Sequence, residues 1–250
     1  MPRGDDRAGA VVVSAAGGCV TATLNRPAQR NRISAAMAAE LVELFERVED
    51  DDDARMLALT GAGAGFCVGF DSDVDARLVE SLAVVSKPTV AILNGDATDE
   101  GLELAIAADI RVALASARFA MSQPCRGTMP RFGGTQRLPR LVGAGQALKM
   151  LLTGAAVDGN EALRIGLVTY VAKSRKELGQ TAGRVAESIL SRGPIAARLV
   201  KDAVRKGYDM TLDQGIRLEE DLYALLQTTG DRAEGVRAFL ERRKPLFRGA

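Results

Sequence analysis

Four carboxylates fall within eight residues, Asp96, Asp99, Glu100 and Glu103, and the last three share one turn of a helix predicted from about Glu100 to Ala107. Acids at a helix start suit the free N–H groups and the positive end of the dipole, which accounts for Asp96 and Asp99 as capping residues. Glu103 differs, because Leu102, Leu104, Ile106 and Ala107 surround it. Its carboxyl is expected to be partly buried, and burial raises a carboxyl pKa toward the range useful for proton transfer. The chain has no histidine, which removes Ser-His-Asp and Cys-His hydrolysis, HExxH zinc chemistry and His-ligated metal sites. No metal and no cofactor is expected. Gly61-Ala-Gly63-Ala-Gly65 follows a predicted strand, but the third glycine of a dinucleotide loop would fall on Phe66. No helix opens there and no GK[ST] triplet exists, so the stretch reads as a tight turn.

The elements around these residues follow from periodicity. Residues 11–13 and 19–24 are β-rich and flank Gly17-Gly18, a hairpin signal. From Ser34, a plausible N-cap, Met37, Leu41, Leu44, Phe45 and Val48 recur at helical intervals between glutamates, and the acidic run Glu49 to Asp53 ends the helix. Short apolar strands are predicted over 55–60, 89–93 and 110–114, with a helix between Asp73 and Ser86. Strand, helix, strand at this spacing argues for stacked α/β units. Beyond Gly133-Gly134 the pattern is almost wholly helical, with one strand predicted over 167–172 and amphipathic stretches from Ser174 to Lys244. Several consecutive helices after an α/β body suggest an assembly module.

Of 250 residues, 33 are Lys or Arg and 32 Asp or Glu, a net charge of +1, so partners that require a strongly basic or acidic protein are not expected. With 47% hydrophobic residues the chain can build a real core. Cys19, Cys67 and Cys125 are odd in number and lack CxxC spacing, as expected of reduced thiols in a cytoplasmic protein. The N-terminal MPRGDDRAGAVVV carries charges where an export signal is apolar, and no apolar run reaches ~18 residues, so neither export nor membrane insertion is expected.

Several segments resemble the crotonase (enoyl-CoA hydratase/isomerase) superfamily. They are Leu24-Asn25-Arg26-Pro27 with Arg30-Asn31, Leu59-Thr60-Gly61, Gly65-Phe66-Cys67-Val68-Gly69-Phe70-Asp71, Lys87-Pro88 and Asn94-Gly95. Further along come Gly133-Gly134-Thr135-Gln136-Arg137-Leu138, Leu152-Thr153-Gly154, Glu161-Ala162 with Gly166-Leu167-Val168, and Phe239-Leu-Glu-Arg-Arg-Lys-Pro. The resemblance implies an α/β, crotonase-like spiral of ββα units over 1–190, with a C-terminal helical assembly module over 191–250. It also implies a homotrimer or hexamer acting on acyl-CoA thioesters. Two backbone N–H groups, here those of Phe70 and Glu100, would hold the thioester oxygen as it becomes an enolate. Hydration of an enoyl thioester is the leading expectation, with double-bond isomerisation or non-catalytic thioester binding as alternatives. Arg30, Phe239 and Arg242 match positions that contact the CoA nucleotide and phosphates. The helix after Ser34 carries glutamates where RNA-binding relatives need a basic comb, so no nucleic-acid partner is expected.

The departures from that pattern bear on the chemistry. Asp99-Glu100-Gly101 stands where the family commonly has three glycines, and a side chain at a position needing positive φ is strained. A carboxylate ~4 Å from an enolate repels it by ~4 kcal/mol at an effective dielectric of ~20, about three decades in rate. Glu100 must point away, be protonated, or mark lost activity. Of the two glutamates that resemblance implies, the first matches Glu103 and the second falls on Gln123, which can orient a water but cannot relay its proton. Asp99 or Cys125 could substitute. Only fifteen residues separate Asp71 from Lys87, which suggests an open pocket or a small acyl group, and Phe70 narrows it.

Overall fold

The computed structural model describes residues 9–250. Strands β1 (Val11–Ala16) and β2 (Cys19–Leu24) form the expected antiparallel hairpin around Gly17-Gly18, both at positive φ. Helix α1 (Ala35–Asp50) starts at Ser34, whose hydroxyl accepts the Met37 N–H at 3.4 Å. It buries Met37, Leu41, Leu44, Phe45 and Val48 and leaves Glu40, Glu43 and Glu46 exposed. At its far end the buried Lys87 ammonium donates to the carbonyl oxygens of Val48 and Asp51, a cation placed on the negative end of the helix dipole.

Strand β3 (Met56–Gly61), helix α2 (Arg77–Val84) and strand β4 (Thr89–Leu93) follow, then a two-residue strand β5 (Ala97–Thr98), helix α3 (Glu100–Ala105), β6 (Ile110–Leu114) and β7 (Arg118–Ala120). After α4 (Gly134–Val142) and α5 (Ala144–Thr153) come β8 (Val157–Asp158), α6 (Gly159–Arg164) and β9 (Tyr170–Ala172). The main sheet has the order β1-β2-β3-β4-β6-β9 and is parallel from β2 onward. Its inner strands are apolar on both faces, as parallel strands covered on both sides must be, which is why they read as continuous runs. The second sheet, β5-β7-β8, is small; α3 follows directly on β5, and a turn over Gln123–Arg126 follows β7.

Two expectations are corrected. The strand predicted over 167–172 is only Tyr170–Ala172, because Leu167 and Val168 pack into the core as loop residues. The stretch beyond Gly133-Gly134 holds a second strand, β8, whose two residues pair with β7 and give no alternating pattern of their own. Helices α7 (Arg175–Leu190), α8 (Pro194–Gly207), α9 (Leu212–Gln227) and α10 (Gly230–Leu240) complete the chain. Asp109 pins α8 to the body through Lys201 and Arg205, each at 2.7 Å. Yet α8 and α9 bury no residue, and Leu212, Tyr223, Phe239 and Leu240 stand exposed. Among the described residues no helix is long and apolar enough to cross a membrane.

Candidate active site

The segment from Gly65 to Asp71 crosses the N-terminus of α3. Ile33 N–H donates to the Gly69 carbonyl at 3.1 Å and Asp71 N–H to the Ile33 carbonyl at 2.8 Å. In an extended chain the intervening Phe70 N–H then faces the opposite way, toward α3. It meets the carboxylate of Glu100, whose Oε2 accepts it at 3.3 Å. Gly69 takes φ +132°, a backbone conformation that favours glycine. Gly101 permits the second contact, because a Cβ there would fall 2.1 Å from the Cys67 carbonyl oxygen. Glu100 opens α3 and its N–H has no acceptor within the helix. The Glu100 side chain does not point away: it sits on the Phe70 amide, one of the two expected to grip a thioester oxygen.

Asp99 takes φ +51°, ψ −122°, the strained geometry expected where glycine is usual. Its side chain makes no helix cap, contrary to the capping expectation. The carboxylate instead accepts the Ser122 N–H at 2.6 Å, the Ser122 hydroxyl at 3.0 Å and the Arg126 guanidinium at 3.0 Å. Asp96 likewise binds the Arg118 N–H at 3.0 Å rather than capping α3.

Glu103 lies on the same helix, with no exposed surface. Oε1 accepts N–H groups from Phe132 and Gly134, each at 2.8 Å, and Oε2 accepts the Gln123 side-chain amide at 3.2 Å. Burial pushes its pKa up, those backbone donors pull against the rise, and the Glu100 charge adds to it. Gln123 is buried too, in a 3-10 turn spanning Gln123–Arg126, and among the described residues its Oε1 has no partner. A buried acceptor of this kind is satisfied by a water donor. The arrangement joins a carboxylate that can take or give a proton to an amide that can orient a water.

The rings of Phe70 and Phe132 meet edge to face with centroids 5.0 Å apart, and the Arg131 guanidinium lies 4.7 Å from the Phe132 centroid. Neither Asp99 nor Cys125 takes the place of a second carboxylate: the first is turned to Ser122 and Arg126, and the second is exposed. Burial raises the Cys67 thiol to about 12, so it is no nucleophile. Arg30, at φ +54° after the turn Pro27–Gln29, is exposed, as are Phe239 on α10 and Arg242 just beyond it at φ +53°. Among the described residues no hydrogen bond ties the side chains of these three to Glu103, Gln123 or Phe70. The glycine turn after β3 is held from within, as Asn31 donates to the carbonyls of Ala62 and Gly65 and Asn94 to those of Gly61 and Gly63. Three residues at the site were not singled out from sequence: Phe132, which acts through its main-chain amide, and Ser122 and Arg126, which anchor Asp99; Gly134 was read only as part of a family motif and not as a donor to Glu103.

The sequence model of the enoyl-CoA hydratase/isomerase family matches residues 14–250. The chain belongs to this family. It is 39% identical to the (E)-benzylidenesuccinyl-CoA hydratase of Thauera aromatica over 243 residues, covering 91% of this chain and 94% of that one. It is 36% identical to the crotonyl-CoA hydratase of Syntrophomonas wolfei, over 90% of this chain and 92% of that one. Among solved structures, the enoyl-CoA hydratase of Bacillus anthracis superposes with a TM-score of 0.93 at 34% identity, covering 97% of this chain and all of that one (100%). The crotonase fold expected from the motifs is thus the fold observed.

Proposed function

We propose that this chain is an enoyl-CoA hydratase-like lyase that adds water across an enoyl thioester, with Glu103 as its one acid–base group. The observation that carries the reading is the buried Glu103–Gln123 pair, in which Gln123 donates to Glu103 and its Oε1 accepts from none of the described residues. A water donating to that oxygen would lie beside Glu103, which takes its proton as the oxygen bonds to the β-carbon. The π electrons move onto the thioester oxygen, where the N–H groups of Phe70 and Glu100 hold the enolate. Glu103 returns the proton to the α-carbon, so one water is consumed and the carboxylate is regenerated. Gln123 orients the water and carries no proton. An isomerase moves protons on the substrate and needs no water site, so a Gln amide that can orient a water beside Glu103 favours hydration.

The remaining assignments belong to the same reading. Residues 1–190, of which 1–8 lie outside the described residues, would be the spiral core and 191–250 an assembly module. The exposed apolar side chains of α8 to α10 would be covered in a homotrimer or hexamer. Arg30, Phe239 and Arg242 would contact the nucleotide and phosphates of CoA. Cys19, Cys67 and Cys125 are all free thiols, which suits the cytoplasm.

The test is crotonyl-CoA hydration by the wild type and by Glu103→Gln. The wild type is expected to turn over. The variant is expected to lose at least a hundredfold in kcat with KM little changed, the usual span of a general acid–base group being about 10²–10⁴. Equal turnover by the two proteins removes Glu103 from the mechanism. Binding of acyl-CoA without turnover by the wild type would make it a thioester-binding protein instead.

A further inference from the structure

We propose that Glu100 is an internal ligand of the thioester site: its carboxylate competes with the substrate's carbonyl oxygen for the Phe70 N–H and so sets the affinity for every acyl-CoA. The inference rests on the reading of the Phe70 and Glu100 amides as the oxygen-binding pair. Its own basis is the contact between Glu100 Oε2 and Phe70 N at 3.3 Å. Among the described residues that N–H makes no other hydrogen bond, while the Gly69 carbonyl and the Asp71 N–H on either side pair with Ile33. A charged acceptor holds an amide more strongly than a neutral thioester carbonyl does. Substrate therefore has to displace the carboxylate, and the cost of displacement is taken from binding.

The displaced group has a neighbour to receive it. A Cβ on Gly69 would lie 2.7 Å from Glu100 Oε2 and 3.1 Å from a guanidinium nitrogen of Arg32, so the two charges flank the same point. Arg32 now donates to the Phe70 carbonyl and is half-exposed beside Asp71. A short swing of Glu100 from the Phe70 N–H to Arg32 clears the amide and neutralises the carboxylate before enolate charge develops nearby. Glu100 thus acts as a gate on the oxygen-binding pair, and Arg32 as the group that holds it open.

The probe is butyryl-CoA, a saturated thioester that cannot add water, titrated calorimetrically into the full chain. Glu100→Ala keeps the residue 100 amide and is expected to tighten Kd by about ten- to a hundredfold, the span of a hydrogen bond to a charged group. Glu100→Gln, which keeps the shape and loses the charge, is expected to fall between the two. Arg32→Met is expected to weaken binding in the wild type and to have little effect on top of Glu100→Ala, a non-additivity that a purely structural role for Arg32 does not produce. Binding by both Glu100 variants that is no tighter than wild type, or absent, overturns the gate. The underlying reading has a separate readout: if Glu103→Gln still hydrates crotonyl-CoA, that reading falls. If Glu103→Gln is inactive while Glu100→Ala binds no tighter, only the gate falls.

Discussion

Replacing Gln123 with Glu turns the acceptor beside Glu103 into a second carboxyl. In the wild type the Gln123 amide nitrogen donates to Glu103 Oε2 at 3.2 Å. Two ionised carboxylates at that 3.2 Å separation repel by about 5 kcal/mol at an effective dielectric of ~20. Ionising both is therefore disfavoured, and a second carboxylate adds to the rise that burial already gives Glu103. With one carboxyl protonated and the other ionised, the pair can divide between two groups the proton steps that Glu103 carries alone in the wild type. The Gln123→Glu variant should hydrate crotonyl-CoA about 10²-fold or more faster, the lower end of what a placed proton donor contributes. The assay follows loss of the conjugated enoyl-thioester absorbance over a panel of acyl lengths, with thermal melting as a control that the variant is folded. A folded variant with no gain on any substrate refutes the placement of Gln123 at the water.

Two further outcomes follow from the geometry. A Cβ at Gly134 would stand 2.9 Å from Glu103 Oε1 and 3.0 Å from its Cγ, so Gly134→Ala should push Glu103 off its two backbone donors. It should cut kcat by tenfold or more in steady-state kinetics while shifting KM little. Because the folded-state pKa of Glu103 is raised, chiefly by burial, the folded protein binds more protons than the unfolded chain between the ordinary glutamate value and the raised one. Stability from this group is present below the ordinary value and lost as pH rises through the raised value. Denaturant titrations should show that slope in the wild type and its absence in Glu103→Gln, and the acidic limb of kcat/KM should lie above the ordinary glutamate range.

How much of this was legible in the sequence depended on whether a feature was local. Helix α1 and strands β4 and β6 follow from periodicity because each carries its own apolar face or run. Strands β5 and β8, of two residues each, exist only through pairing with β7, so no residue pattern announces them. The burial of Glu103 could be read from its apolar neighbours on α3. Its cradle could not, since the N–H groups of Phe132 and Gly134 lie about thirty residues away in sequence and main-chain amides leave no trace in residue type. Asp99 was expected to be strained, and is; that its carboxylate would be anchored to Ser122 and Arg126 depended on a turn from another part of the chain. The direction of Glu100 was the hardest case, because a rotamer on a helix start is chosen by whatever donor the fold brings near, here the Phe70 amide.

The most direct measurement is the crystal structure of this chain with butyryl-CoA bound. The account predicts the thioester oxygen within hydrogen-bonding distance of the main-chain nitrogens of both Phe70 and Glu100, with the β-carbon facing Glu103. A thioester oxygen bound elsewhere, with those two nitrogens unengaged by ligand, would contradict it.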